Sequence, residues 1–258
     1  MRLSSRTTCL LIALWVCTPL SRGETQVTPA KTPARYTTRD EHDPNGIGKF
    51  YMKREIARVM GHQGAGWLER PEREKEEQPR KLLRILDLKP GQVVADIGAG
   101  SGYHTFRMAE KLGPRGKVLA VDIQKEMLDI IRKRMKKDEV SNIELILGTE
   151  TDPKLPANGV DVILLVDVYH EFAFPFEMTE AMVKALKPGG RLVFVEFRKE
   201  DRDPVVPILE VHKMRKEQVV REMKPHALKH VKTISSLPWQ HVIFFEKKTM
   251  DKEEKPAK

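Results

Sequence analysis

Only two of the 258 residues are cysteines, Cys9 and Cys17. Beyond residue 17 the chain therefore has no thiol for a disulfide, a metal ligand or a nucleophile. Aromatic residues are also scarce, at 6 % with three tryptophans. The net charge is +9, yet basic stretches such as Arg132-Lys133-Arg134-Met135-Lys136-Lys137-Asp138-Glu139 mix in acids and carry no aromatic residue. Single-stranded nucleic acid is gripped by stacking as well as charge, so this stretch reads as a solvated helix face, and a nucleic-acid partner is disfavoured. Long apolar runs are missing too. The one extended run, Cys9–Leu20, is interrupted at Thr18 and Pro19 and falls short of the ~20 residues that span a bilayer.

That run has the form of a secretory leader. Arg2 and Arg6 supply a basic start, and Ser21 and Gly23 are small residues suited to cleavage before Glu24. The expectation is export, periplasmic or secreted, with residues 1–23 removed; an uncleaved leader acting as a membrane anchor is the alternative. Residues 24–48, rich in Thr, Pro, Asp and Gly, read as an extended linker. Residues 49–80 read as an N-terminal helical lid segment. It comprises a short helix over 49–60, a glycine-rich loop Gly61-His62-Gln63-Gly64-Ala65-Gly66-Trp67, and the start of a charged helix over 72–88. Residues 248–258 form a charged tail.

Between these lies a regular alternation. Short apolar runs at 92–96, 117–122, 142–147, 160–166 and 191–197 are separated by helical patterns, among them 124–137 and 176–187. A further helix is expected over 204–224, and the runs 229–235 and 240–247 read as an antiparallel pair. The fold class is α/β, with residues 81–247 as one domain. Val93-Val94-Ala95-Asp96-Ile97-Gly98-Ala99-Gly100-Ser101-Gly102-Tyr103 reads as a buried strand, a tight glycine turn and a helix start. Glycines admit a sharp turn and a close ligand, and the helix start offers free N–H groups to an anion. A dinucleotide fingerprint places its third glycine where Tyr103 stands, which disfavours a nicotinamide enzyme. Asp122 closes the next apolar run, where a carboxylate can accept both ribose hydroxyls of a nucleoside.

Asp96 to Gly102, Asp122, and Leu186-Lys187-Pro188-Gly189-Gly190-Arg191-Leu192 together resemble the class I S-adenosylmethionine-dependent methyltransferases over roughly residues 80 to 247. The resemblance implies a three-layer, doubly wound, Rossmann-like fold. Its sheet has seven strands, mostly parallel, with an antiparallel last strand. S-adenosylmethionine is implied as cofactor. Asp96, Gly98, Ala99, Gly100 and Gly102 would line its methionine end, Asp122 would hold the ribose, and Ile123 would lie against the adenine. Thr149 stands where many members carry an acid that reads the adenine amino group, with Glu150 or Asp152 as substitutes. Asp167 would face the junction of cofactor and acceptor.

The candidates for chemistry follow Asp167. His170 or Glu171 is placed to contact the acceptor and take a proton, and Tyr169 to line its site. His170, His212 and His241 are conceivable metal ligands, but nothing in their spacing demands an ion, and no metal is assigned. Trp239 and His241 alternate around Gln240 and share a strand face. The segment after the fourth strand lacks the Asn/Asp-Pro-Pro-Tyr motif of adenine-specific DNA methyltransferases. It also lacks the corresponding segment of the isoaspartate carboxyl methyltransferases, whose Gly-Ser-Gly-Tyr turn residues 100–103 share. A small-molecule acceptor is preferred. Methylation of a protein or envelope component, or a non-catalytic S-adenosylmethionine-binding module, are the alternatives.

Overall fold

In the computed structural model residues 34–200 and 206–249 are described. The leader over 1–23, the linker up to residue 33, the first residues of the helix expected over 204–224, and the charged tail from 250 lie outside the described residues.

The described chain begins with an antiparallel three-stranded sheet, β1 (Tyr36–Thr38), β2 (Gly46–Tyr51) and β3 (Arg54–Ala57). This corrects two expectations, a linker running to 48 and a helix over 49–60. β2 alternates, with Gly46, Gly48 and Phe50 buried and Ile47 exposed, as a strand with one covered face does. The hairpin between β2 and β3 turns on Met52 and Lys53, both at positive φ (46° and 73°). Two-residue hairpins need that backbone and usually announce it with Asn-Gly or Asp-Gly; Met-Lys gives no such signal. Three short helices follow, α1 (Ala65–Leu68), α2 (Arg73–Glu76) and α3 (Pro79–Leu86). The single helix expected over 72–88 is broken at Gln78, whose φ is 52°, because Pro79 disfavours helical geometry in the residue before it.

From β4 (Val93–Ile97) the chain alternates through α4 (Tyr103–Leu112), β5 (Lys117–Asp122), α5 (Lys125–Lys137), β6 (Ile143–Leu147), β7 (Val160–Val166), α6 (Pro175–Ala185) and β8 (Leu186–Phe197). The helix expected over 204–224 is a 3-10 turn, Glu210–His212, followed by α7 (Lys216–Met223). Between them Met214 N–H donates to Phe197 O, which holds the backbone extended beside the end of β8. β9 (Leu228–Ile234) and β10 (Gln240–Lys247) complete a seven-stranded sheet in the order β6-β5-β4-β7-β8-β10-β9. β10 runs antiparallel to both its neighbours, and the other pairings are parallel. This is the fold expected from the family resemblance.

The core has two layers because successive strand residues face opposite ways. Val94, Ala120, Leu164 and Val193 pack beneath α3, α4 and α5. Ala95, Val121, Leu165 and Phe194 pack beneath α6 and α7. Each fully buried aliphatic side chain stabilises the fold by about 1.5–3 kcal/mol.

The N-terminal sheet is fixed to this core by a buried ion pair. The Arg54 guanidinium donates to both carboxylate oxygens of Glu222 on α7 (2.9 and 3.1 Å), and the Tyr169 hydroxyl donates to the same carboxylate (2.8 Å). Glu222 is fully buried, so removing its cation strands a charge in a low-dielectric site. Arg54→Ala is expected to lower the free energy of unfolding by about 3–5 kcal/mol in urea titrations. A loss below about 1 kcal/mol would show that the pair does not anchor the sheet.

Candidate active site

The strand order reverses at β4: β5 lies on one side and β7 on the other. In open α/β sheets a crevice opens at the carboxyl ends of the strands at such a point. Here it is a cavity of about 500 Å³, within the range of small-molecule sites. Its floor is the turn after β4. Gly98 and Gly100 line it, at φ 67° and 54°. A Cβ on Gly98 would stand 2.4 Å from Val168 Cγ2, so glycine is required there for both backbone and space. Ala99 and Gly102 are outside the wall. Ala99 packs into the core under α4, and Gly102 caps that helix at φ 84°, facing Phe106 and Ile131.

Asp122, at the end of β5, is in the wall. Its carboxylate accepts Gly100 N–H and Gln124 N–H, each at 2.9 Å, and so ties the glycine turn to the neighbouring strand. Burial raises its pKa, and those backbone donors pull it back. Beside it Ile123 offers a half-exposed apolar surface, and Thr149 and Glu150 follow from the loop after β6. The Thr149 hydroxyl accepts Asp152 N–H (3.0 Å), so it braces its own loop. Asp96 does not reach the wall. Strand alternation sends its side chain toward α4, where it accepts the Thr105 hydroxyl (2.5 Å). It sits one layer behind the turn.

Asp167, just past β7, is in the wall and in a left-handed backbone conformation, φ 50°. Gln240 Nε2 donates to its Oδ2 (2.7 Å), while its Oδ1 is buried with no partner. Burial, with Glu77 and Glu196 nearby, pushes its pKa well up. An unpaired buried carboxylate oxygen at a cavity is suited to a cationic or hydrogen-donating ligand group.

The next residues separate. Tyr169 is fully buried, with its hydroxyl on Glu222, and is not part of the wall of this cavity; its expected place at the acceptor site is corrected. His170 and Glu171 do face the cavity. Glu196, inside β8, accepts Tyr169 N–H (2.9 Å) and the His170 Nδ1 hydrogen (2.6 Å). A carboxylate can only accept, so Nδ1 carries the proton and Nε2 turns to the cavity. Burial opposes charge on His170, but Glu196 outweighs it and raises the pKa. Burial raises Glu171 to about 7, and its Oε1 accepts Met60 N–H (3.2 Å). His212, on the 3-10 turn after β8, meets His170 edge to face with ring centroids 5.1 Å apart. Burial, with His170 nearby, lowers its pKa to about 4. His241 is elsewhere, between Ser235 and Glu200, so the imagined histidine trio is corrected to a pair.

The N-terminal segment covers the cavity. Met60, Trp67 and Leu68 line it, and Leu68 Cδ1 lies 2.7 Å from where a Gly100 Cβ would stand. Gln124 holds this cover, donating to Met60 O (2.9 Å) and accepting His62 N–H (2.8 Å). Arg73 also enters the wall, its guanidinium donating to Glu77 (2.6 Å) and Leu68 O (2.9 Å). Glu196, Gln124 and Arg73 are site residues beyond those expected. Of these only Glu196, an acid inside the apolar run 191–197, left a signal.

Burial raises Asp96 to about 6, offset in part by Thr105 and reinforced by the charge of Asp122. A carboxyl raised in the folded state holds its proton there between pH 4 and 6, so stability falls as pH rises through that window. Asp96→Asn keeps an acceptor for Thr105 and does not titrate. Its stability relative to the parent chain is expected to rise by on the order of 3 kcal/mol from pH 4 to pH 7.5. Denaturant titrations at the two pH values check this, and a difference independent of pH would contradict it.

The methyltransferase-domain family matches residues 88–254. The ubiquinone/menaquinone biosynthesis C-methyltransferase UbiE of Ectopseudomonas mendocina is 31 % identical over 121 residues, covering 46 % of this chain and 47 % of its own. A protein-L-isoaspartate O-methyltransferase of Methanopyrus kandleri is 33 % identical over 113 residues, covering 43 % and 47 %. The chain thus spans about half the length of the curated relatives it matches. A crystal structure of an S-adenosylmethionine-dependent methyltransferase from Aquifex aeolicus superposes with a TM-score of 0.68 at 24 % identity, covering 73 % of this chain and 100 % of that one. With the family match over most of the chain, the reversed sheet order and the glycine turn closed by Asp122, the chain belongs to the S-adenosylmethionine-dependent methyltransferase domains.

Proposed function

We propose that this chain transfers a methyl group from S-adenosylmethionine to a small-molecule acceptor with an apolar body and one polar end. The observation that carries the reading is that one cavity holds two unlike ends. One end is the Gly98–Gly100 turn with Asp122. The other is the His170–Glu171–His212 group under an apolar cover. The donor supplies an electrophilic methyl group, so the protein's work is to position the acceptor and keep water out.

The residues present fit that donor. Gly98 and Gly100 leave room for its amino-acid end, and the lone oxygen of Asp167 suits its ammonium. Asp122 has lone pairs left over for the ribose hydroxyls. Ile123 supplies an apolar face to the adenine, and Thr149 and Glu150 its polar edge. Asp96 acts from behind, through the turn and through charge. The acceptor's polar end is held at His170 and Glu171, the imidazole oriented by Glu196. Val59, Trp67 and Leu209, exposed large apolar residues at the cavity wall, support an acceptor with an apolar body. The relative named for ubiquinone and menaquinone biosynthesis agrees with such an acceptor. The leader-like first 23 residues support export of the same enzyme.

Incubation of the full chain with a methyl-labelled donor and fractionated cell extract tests the class of acceptor. Label is expected in the apolar small-molecule fraction; label on protein favours the alternative of a protein or envelope-component acceptor, and no label in any fraction contradicts methyl transfer. With an acceptor in hand, His170→Ala is expected to reduce turnover at saturating donor by about 100-fold or more. Unchanged turnover would remove His170 from the acceptor site.

A further inference from the structure

The cluster at the acceptor end has the composition and arrangement of a metal centre. His170, Glu171 and His212 each offer one ligand atom, and the three atoms lie within 4.8 Å of one another. His170 Nε2 is 4.0 Å and His212 Nδ1 3.8 Å from Glu171 Oε1. We infer that these three side chains bind one zinc-type divalent cation, with a coordination position left open toward the cavity. This deepens the function proposed above and rests on it for the meaning of the open position.

Three independent features favour a ligand set over a chance meeting of polar groups. The first is the donor chemistry. Two imidazoles and one carboxylate suit zinc and the other late first-row ions, and three protein ligands with a fourth site free is the pattern of catalytic rather than structural zinc. The second is the support behind the ligands. Glu196 takes the Nδ1 hydrogen of His170 at 2.6 Å, which leaves Nε2 with its lone pair facing outward, the outer-shell arrangement that metal-bound histidines use. Glu171 is likewise held, by Met60 N–H. The third is charge. Glu171 and the fully buried Glu196 supply two acidic groups to set against a divalent ion, while the nearby Arg54 is already paired with Glu222.

The geometry requires a modest closure. Ligand atoms on one tetrahedral zinc at ~2.0–2.1 Å stand roughly 3.4 Å apart, somewhat closer than the spacings here. His212 can supply the movement, since it sits on a one-turn 3-10 segment with its ring partly exposed. His170 and Glu171 are on a second 3-10 turn, Tyr169–Glu171, so two loop turns from different parts of the sheet bring the three side chains together. An ion there would bind the polar atom of the acceptor directly and fix it against the methyl donor. The fourth ligand would then be the acceptor itself or water.

The test is zinc binding by the full, tag-free chain after chelator stripping, measured by competition with a chromophoric chelator and by cobalt substitution. One zinc per chain is expected, with Mg²⁺ failing to compete and with a tetrahedral cobalt spectrum. His212→Ala and Glu171→Gln are each expected to weaken zinc by about 100-fold or more, and Glu196→Gln, acting through His170, by about 10–100-fold. His230→Ala, at the far edge of the sheet, is expected to leave zinc affinity unchanged. Donor binding by each variant reports that it is folded. A folded chain that binds S-adenosylmethionine but no stoichiometric zinc, or whose zinc affinity ignores His212→Ala and Glu171→Gln, overturns the inference. Zinc binding with no donor binding leaves the metal centre standing and removes the activity assigned above.

Discussion

The reversal of strand order at β4 is the constraint on which the rest depends. The chain runs outward from β4 through β5 to β6 and then returns to place β7 on the other side of β4, so the crossover helices leave a crevice at the carboxyl ends of β4, β5 and β7. Buried backbone must be satisfied, and in the turn after β4 Ala99 N–H still donates to Val121 O of β5 (3.0 Å), while the next N–H, that of Gly100, passes beyond the ladder. Asp122 resolves this by reaching across from β5 to accept Gly100 N–H. The same carboxylate lines the cavity. Its position is therefore a requirement of the fold before it is one of the ligand.

Around this gap the chain concentrates buried and partly buried carboxyl groups. Asp96, Asp122, Asp167, Glu171 and Glu196 all come within the site or directly behind it. Burial disfavours their charged forms, which raises Asp96, Asp122, Asp167 and Glu171 together. Such a cluster costs stability, offset by two apolar layers on either face of the sheet. It also makes the cavity strongly attractive to cations. A sulfonium with an ammonium at one end and a divalent ion at the other would relieve the same electrostatic load.

What was legible in the sequence is what is local. The apolar runs of β4 to β8, the helix over 125–137 and the glycine turn follow from patterns within a dozen residues. Pro79 held the break before α3 in plain view, though a charged run hid it. The hairpin on Met52 and Lys53 was not legible, because those residues adopt positive φ only under tertiary constraint. His170 and His212 lie far apart along the chain, and only the return of the chain beside the end of β8 brings them together. Tyr169 shows the converse: its neighbours face the cavity, yet its own side chain turns to Glu222 and the core. Adjacent residues on a tight turn point apart, and no motif states which way.

Calorimetric titration of the full chain with S-adenosylmethionine reads the Gly98–Asp122 cradle itself. One molecule per chain is expected with a micromolar Kd, weakened by about tenfold or more in Asp122→Ala, a loss of about 1.4 kcal/mol. An absence of binding at millimolar donor, or an affinity indifferent to Asp122→Ala, would contradict binding of the donor at this cradle.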